Sequence, residues 1–388
     1  MVKFLRRGFF LLLLLLGGAS FFGQANAQEL VLDKQITAKA EVLEVLKQET
    51  KNIPGTDTKS NYQTLLVKIL DGEEKGKEVT VENDYLNLEK GEIFYLVHTT
   101  NDLENRDYYS VSEPYRVTAV YFFVGLFIVC VICFGGRQGL RGIISLIASF
   151  FFIGYFLLPG ITHGYSPVLV SIAVSSLIII LGSYITHGFN KTTTSAVVGM
   201  VVTIILTSFL AFFAISFARL SGFASEEAVY LNFDTRGQID FAGLLLGGIL
   251  IGLLGVLYDA AIGQAVSVDE LHHVGPHLGR KAIYRRAIRI GREHIGALVN
   301  TLAIAYVGVS LPLLLLYSTS TSGFTMTINR EIFATEIIRI MIGSIGLVLA
   351  VPITTLLAVL ILIKEKPVSD PSLLEHEKQA IEEVEHTH

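Results

Sequence analysis

At 388 residues, with 51% hydrophobic and only 17% charged side chains, the chain is too apolar for an ordinary soluble enzyme. Its formal net charge of -5, with the basic residues gathered locally rather than spread over a face, leaves no footprint for nucleic acid. The two cysteines, Cys130 and Cys133, both lie inside an apolar run, which excludes an extracytoplasmic disulfide framework. Their Cys-x-x-Cys spacing reads as two small apolar helix residues, because a thiolate in hydrocarbon is strongly disfavoured.

The amino terminus carries Lys3, Arg6 and Arg7, then an apolar run from Gly8 to Phe22 and the small-x-small triplet Ala25-Asn26-Ala27. This is the pattern of a secretory signal over residues 1–27, and the run is short for a spanning helix. Residues 28–115 are then expected outside the cytoplasm. They alternate with a period of two at Ile36–Val45, Leu65–Leu70, Glu78–Val81 and Ile93–Val97, with turn material at Pro54-Gly55, Asp71-Gly72 and Gly91. Four or five short strands suit a small β-rich barrel or sandwich, OB-like in outline, serving either as a structural cap or as a binding surface.

From residue 116 to 363 the pattern becomes apolar runs. Runs at 117–135, 142–159, 166–185, 195–217, 240–259, 294–317 and 334–363 each approach or exceed the roughly 20 residues that cross about 30 Å of hydrocarbon. A membrane α-helical bundle of about seven transmembrane helices follows. With the β domain outside, inner loops carry Arg137, Arg141, Lys191, the cluster Arg280, Lys281, Arg285, Arg286, Arg289 and Arg292, and Lys364 and Lys366, whereas outer loops carry only Arg219, Arg236 and Arg330. That asymmetry follows the positive-inside rule and agrees with the signal segment. Residues 364–388, with Glu382, Glu383 and Glu385, form an acidic tail expected in the cytoplasm.

Polar groups within these runs are the candidate site. In the fifth run Gly248, Gly252, Gly255 and Asp259 fall at i, i+4, i+7 and i+11, one helical face that allows close approach of a neighbour. Asp259 is either a functional carboxylate facing protein or a wet cavity, or a solvated helix end. In the sixth run Glu293 and Asn300 share a face with Gly296 and Ala303, and Asn300 needs an interhelical partner. In the last run Glu336, Arg339, Gly343 and Gly346 lie on one stripe with Ala350, and Glu336 can pair with Arg339 three residues on. Together Asp259, Glu293, Asn300, Glu336 and Arg339 make a candidate polar seam through late helices packed by glycine.

His272, His273 and His277 raise a metal reading, but Gly275-Pro276 interrupts the helix that would pair them, and no metal or other cofactor is expected. The stretch from Arg280 to Arg292 places Ile283, Ala287 and Ile290 on one face among arginines. It reads as an inner-surface helix attracted to anionic lipid or as an ordinary solvated loop helix. No phosphate loop, nucleophile elbow or zinc-protease helix is present, and no enzyme is expected.

Three stretches carry a family resemblance: Ile290-Gly-Arg-Glu293 through Asn300-Thr-Leu and Ala305-Tyr-Val-Gly308 to Leu311-Pro-Leu; Gly252-Leu-Leu-Gly255-Val-Leu-Tyr-Asp259; and Ala334-Thr-Glu336-Ile-Ile-Arg339 into Gly343-Ser-Ile-Gly346. In these the chain resembles the YibE/F family of bacterial multi-pass membrane proteins, with Tyr258 where methionine is expected. The resemblance implies a permease-like membrane protein and puts Gly255, Asp259, Glu293, Asn300, Pro312, Glu336 and Arg339 in the family motif, without a substrate. Two functions follow as expectations. One is a permease or channel of the cytoplasmic membrane for an ion or small solute. The other is a non-transporting envelope scaffold whose β domain binds a partner. The lipid bilayer, with anionic lipid at the inner basic loop, is the one partner the sequence names.

Overall fold

The computed structural model describes residues 34–52, 59–84, 86–101, 106–319 and 323–363. The expected signal segment and the acidic tail lie outside these residues. Contacts divide the chain into two units that meet in sequence at Gly125 and Leu126.

The first unit is one five-stranded antiparallel sheet of β1 (Lys34–Asn52), β2 (Lys59–Ile69), β3 (Glu78–Asn83), β4 (Ile93–Asn101) and β5 (Arg106–Pro114), in the order β3-β2-β1-β4-β5. The four stretches expected to alternate are all strands. β1 is longer than its alternation suggested because register shifts between Val42 and Glu44 and between Val45 and Lys47 bend it. Its first part pairs with β4 and its remainder with β2, so one strand serves both halves of the sheet. β3 and β5 approach each other across the open side, giving a half-barrel. Val42, Leu65, Val67, Val81, Phe94 and Leu96 fill its interior. A buried amide pair closes one end: Asn83 Nδ2 donates to Gln63 Oε1 at 3.0 Å, and the Gln63 side chain both donates to and accepts from the Leu88 backbone at 2.9 Å. β5 had no strand expectation of its own, because only Tyr109 and Val111 of its residues pack toward the interior.

A charged cluster joins the β2–β3 turn to β4 and β5. Lys77 Nζ donates to Glu74 at 2.6 Å, Tyr109 OH donates to Glu74 at 2.8 Å, and His98 lies 2.9 Å from Asp107 and stacks on Tyr109. Lys77 holds the Glu74 carboxyl below its ordinary range, and His98 does the same for Asp107. Groups with a depressed folded pKa stabilise above the ordinary carboxylate range and lose that contribution as pH falls through the folded value. The fragment spanning residues 28–115 is therefore expected to melt at a lower temperature at pH 3 than at pH 6 by circular dichroism. A midpoint flat across that range would remove the cluster's contribution.

The second unit is helical: α1 (Val117–Phe152), a π turn (Ile153–Leu157), α2 (Leu158–Thr162), α3 (Pro167–His187), α4 (Lys191–Phe217), α5 (Glu226–Asp234), α6 (Phe241–Val274), α7 (Arg280–Val309), α8 (Leu311–Ser318), α9 (Phe324–Asn329) and α10 (Glu331–Leu362). Among the described residues five helices are long and apolar enough to cross a membrane, or up to six if the bent α7–α8 pair is one span. The expectation was about seven. The difference arises at two places. The expected runs 117–135 and 142–159 belong to one element, Val117–Thr162. The run 294–317 is bent by 65° where Pro312 cannot donate to the preceding turn.

Within α1, Gly136 is not helical, at φ 52° and ψ -134°, a conformation that favours glycine. A Cβ on Gly139 would fall 3.1 Å from the Val131 carbonyl carbon, whereas eight residues of straight helix separate atoms by about 12 Å. The chain reverses there.

α6 and α10 form the centre, each packed against α4 and α7, with α3 against α6. α6 starts where Asp240 accepts from Gly243 N at 3.0 Å, an N-cap. It ends at Gly275, the break read from Gly275-Pro276. Small residues set the helix spacing. A Cβ on Gly199 would lie 2.9 Å from the Thr354 Cα, and one on Gly346 3.0 Å from Leu253 Cδ2. The carboxylate of Glu331 ties the loop after α4 to the start of α10, accepting from Ser221 N and Oγ at 2.7 Å and from Gly222 N at 3.0 Å. Gly222 has φ 84° and its Cβ would overlap the Phe241 carbonyl, so only glycine fits there.

Candidate functional site

Glu336 and Arg339 form an ion pair within α10 of the helical unit. α10 presents them one turn apart, and Arg339 Nη1 donates to Glu336 Oε1 at 2.8 Å with about a quarter of each side chain exposed (27% and 24%). Tyr306 of α7 covers the pair, its ring centroid 5.9 Å from the guanidinium carbon. Its hydroxyl rests against Gly252 of α6, where any Cβ would overlap it. Three helices thus meet at Gly252, Tyr306 and the ion pair. Glycine at 252 is what lets the tyrosine reach across.

A second polar junction joins the same helices further along. Gln264 of α6 is 2% exposed, and its Oε1 accepts from Thr355 Oγ1 of α10 at 2.9 Å. Its amide nitrogen packs against Gly291 of α7, where a Cβ would come within 2.7 Å. A buried amide without such partners is costly, so this contact fixes the register of α6, α7 and α10.

These two crossings bracket the rest of the expected seam. Asp259 lies between Gly252 and Gln264 on α6, and Asn300 and Glu293 lie between Tyr306 and Gly291 on α7. All three side chains are exposed in the chain. The fold therefore gathers Glu336 and Arg339 with Tyr306 and leaves Asp259, Asn300 and Glu293 on outward faces of α6 and α7.

The glycines divide in the same way. A Cβ on Gly343 would lie 3.1 Å from Leu302 Cδ2 and one on Gly346 would meet Thr207 and Leu253, whereas at Gly248 and Gly255 no atom of the described residues lies within 4 Å of a built Cβ. Between α7 and α10 lies an open cleft of about 280 Å³ lined by Val299, Ala303, Ile340, Met341 and Val348, with the Ser344 side chain also at its wall.

The basic stretch is the first half of α7. Ile283 and Ala287 are buried as their shared face requires, but the face continues through buried Gly291 while Ile290 is 39% exposed. A spacing of four, with a residue small enough to admit Gln264, defines the packed stripe. Arg280 Nε donates to Ile363 O at 3.0 Å, which places a cation at the carbonyl end of α10. Lys281 and Arg292 are exposed, and Arg285, Arg286 and Arg289 are partly buried. Tyr306 lay within the resemblance stretch Ala305–Gly308 without being singled out, and Gln264 and Thr355 carried no motif signal. The readable clue for Gln264 was an amide within a long apolar stretch, which needs a partner wherever it lands.

A curled antiparallel sheet followed by a glycine-packed unit of long apolar helices is compatible with a membrane protein. The profile of the YibE/F-like proteins matches residues 123–364, and the chain belongs to that family. Comparison with curated proteins and with solved structures gives no match.

Proposed function

We propose that the protein is a multi-pass permease or channel of the cytoplasmic membrane that moves an ion or small solute past the α6–α7–α10 junction. The observation that carries this reading is the Glu336–Arg339 pair under Tyr306. A charged residue costs on the order of 2.5–3.5 kcal/mol at the centre of a spanning helix even on the lenient insertion scale, and charged groups within spanning helices concentrate along solute paths.

Seven crossings are supported by the reversal at Gly136, which splits Val117–Thr162 into two arms. The second arm runs back along α3, with Gln138 Nε2 donating to Thr186 O at 3.1 Å and Ser145 against Gly182. The basic and apolar amino-terminal sequence and the loop charges support a reading with the β unit outside and the start of α7 inside. The strand order and long shared β1 support an OB-like reading of the β unit.

The test is flux in proteoliposomes across a panel of ions and small solutes. Arg339→Gln and Glu336→Gln are each expected to reduce flux at least about 10-fold, the effect of removing a site charge worth about 1.4 kcal/mol or more. Flux of a transported solute that is unchanged in both variants would remove this pathway. If no solute moves and deleting the β unit alone abolishes the cellular phenotype, the scaffold reading replaces it.

A further inference from the structure

We infer that the free edge of Arg339, together with the hydroxyl of Thr335, is a binding site for a small singly charged oxyanion. The inference deepens the transport reading and rests on it for the ligand's role, since a permease built around this site would carry or be gated by that anion.

Arg339 uses Nη1 for Glu336. Its Nε is buried and has no hydrogen-bond partner among the described residues. In a guanidinium the Nε–H and the neighbouring Nη–H form a parallel fork that matches the two oxygens of a carboxylate or a phosphate. Glu336 accepts from the other end of the group, so the fork is not consumed by the ion pair. Tyr306 lies over the guanidinium, its ring centroid 5.9 Å from the central carbon.

A second donor stands beside it. Thr335 is one turn before Arg339 on α10, is 1% exposed, and its Oγ1 likewise lacks a partner. Residues four apart share a helical face, so both orphan donors lie on the same stripe. Eleven buried side-chain N or O atoms lack a hydrogen-bond partner among the described residues; Arg339 Nε and Thr335 Oγ1 are two of them one turn apart beside a cation, and they point to an acceptor that the described residues do not supply.

Glu336 explains why the ligand is a monoanion and why binding is moderate. It is the resident counter-ion, so an added anion meets a cation already half-neutralised. Removing the Glu336 charge should therefore tighten binding, whereas removing Thr335's hydroxyl should weaken it. A soluble carboxylate or phosphate and the phosphate of a lipid headgroup present the same chemistry. Arg339 lies eight residues into α10, about 12 Å along the helix axis, a depth that either source can reach.

The experiment measures binding by the full-length protein in nanodiscs of phosphatidylcholine, with acetate and inorganic phosphate as probes. A parallel sample contains phosphatidylglycerol and is read by retention of that lipid in native mass spectrometry. Saturable binding of either soluble probe should be lost at least 10-fold in Arg339→Gln, weakened several-fold in Thr335→Val and tightened several-fold in Glu336→Gln. Phosphatidylglycerol retained in an Arg339-dependent way, without soluble-probe binding, supports the site with lipid phosphate as its ligand. Absence of both, or binding indifferent to Arg339→Gln, overturns it. If Arg339→Gln does not fold, equal affinity of wild type, Thr335→Val and Glu336→Gln overturns it instead. Oxyanion binding without flux leaves the site standing and removes the transport reading, and cation flux without oxyanion binding does the reverse.

Discussion

Gly199→Ala lowers the stability of the detergent-solubilised protein by about 1–3 kcal/mol, the range for forcing extra volume into a packed interface. The added methyl would stand 2.9 Å from the Thr354 Cα. The obstacle is backbone, not a flexible side-chain end, so α4 and α10 must separate. Thr354 is fully buried and its hydroxyl already occupies the space over Gly199. Gly248→Ala and Gly255→Ala are the controls. Nothing lies within 4 Å of either position, and alanine is the better helix former by about 0.8–1 kcal/mol. Both should leave the midpoint unchanged or raise it. A destabilisation equal to that of Gly199→Ala would mean that the outward face of α6 is packed in the native assembly.

Gln264→Ala costs about 2–4 kcal/mol, because it empties a buried site and takes the Gln264 acceptor from the Thr355 hydroxyl. Gln264→Met, close in volume and unable to hydrogen-bond, should cost about half as much. The decisive comparison is a double-mutant cycle with Thr355→Val. The 2.9 Å contact between the two side chains predicts a coupling of about 1 kcal/mol. Additive effects would show that the amide does not lock α6 to α10. Thr355 Oγ1 also lies 2.7 Å from Val351 O, so part of its bonding survives the loss of Gln264. That local alternative keeps the expected coupling modest.

Much of the architecture was legible in the sequence. Alternation found four strands, and hydropathy placed every long apolar helix, because both signals are local and repeat every two or every 3.6 residues. The fifth strand escaped because β5 turns few apolar residues inward. The glycine stripe on α6 was read correctly as one face, but its use was not. Gly252 receives Tyr306, whereas Gly248 and Gly255 receive nothing from the described residues. Spacing tells which residues share a face and is silent on which neighbour arrives.

The same limit governs the seam. The Glu336–Arg339 pairing is intrahelical and was readable from a separation of three. The tyrosine that covers it and the glutamine that fixes the register depend on contacts between α6, α7 and α10, which no single-helix pattern encodes. Asp259, Asn300 and Glu293 appeared equivalent to the ion pair in sequence. They differ from it because their positions on α6 and α7 are exposed in the described residues.

Everything functional rests on the chain crossing the membrane with the β unit outside, and cysteine accessibility tests that most directly. The only native cysteines, Cys130 and Cys133, are unpaired and exposed on α1, so alanine at both gives a cysteine-free background. Single cysteines then replace Glu44 on β1, Gln138 beside the Gly136 reversal and Lys281 at the start of α7, all exposed positions. A membrane-impermeant maleimide applied to intact spheroplasts is expected to label Glu44→Cys alone, with Gln138→Cys and Lys281→Cys labelled only after permeabilisation. Labelling of Lys281→Cys in intact spheroplasts, or of Glu44→Cys and Gln138→Cys from the same side, would contradict the account.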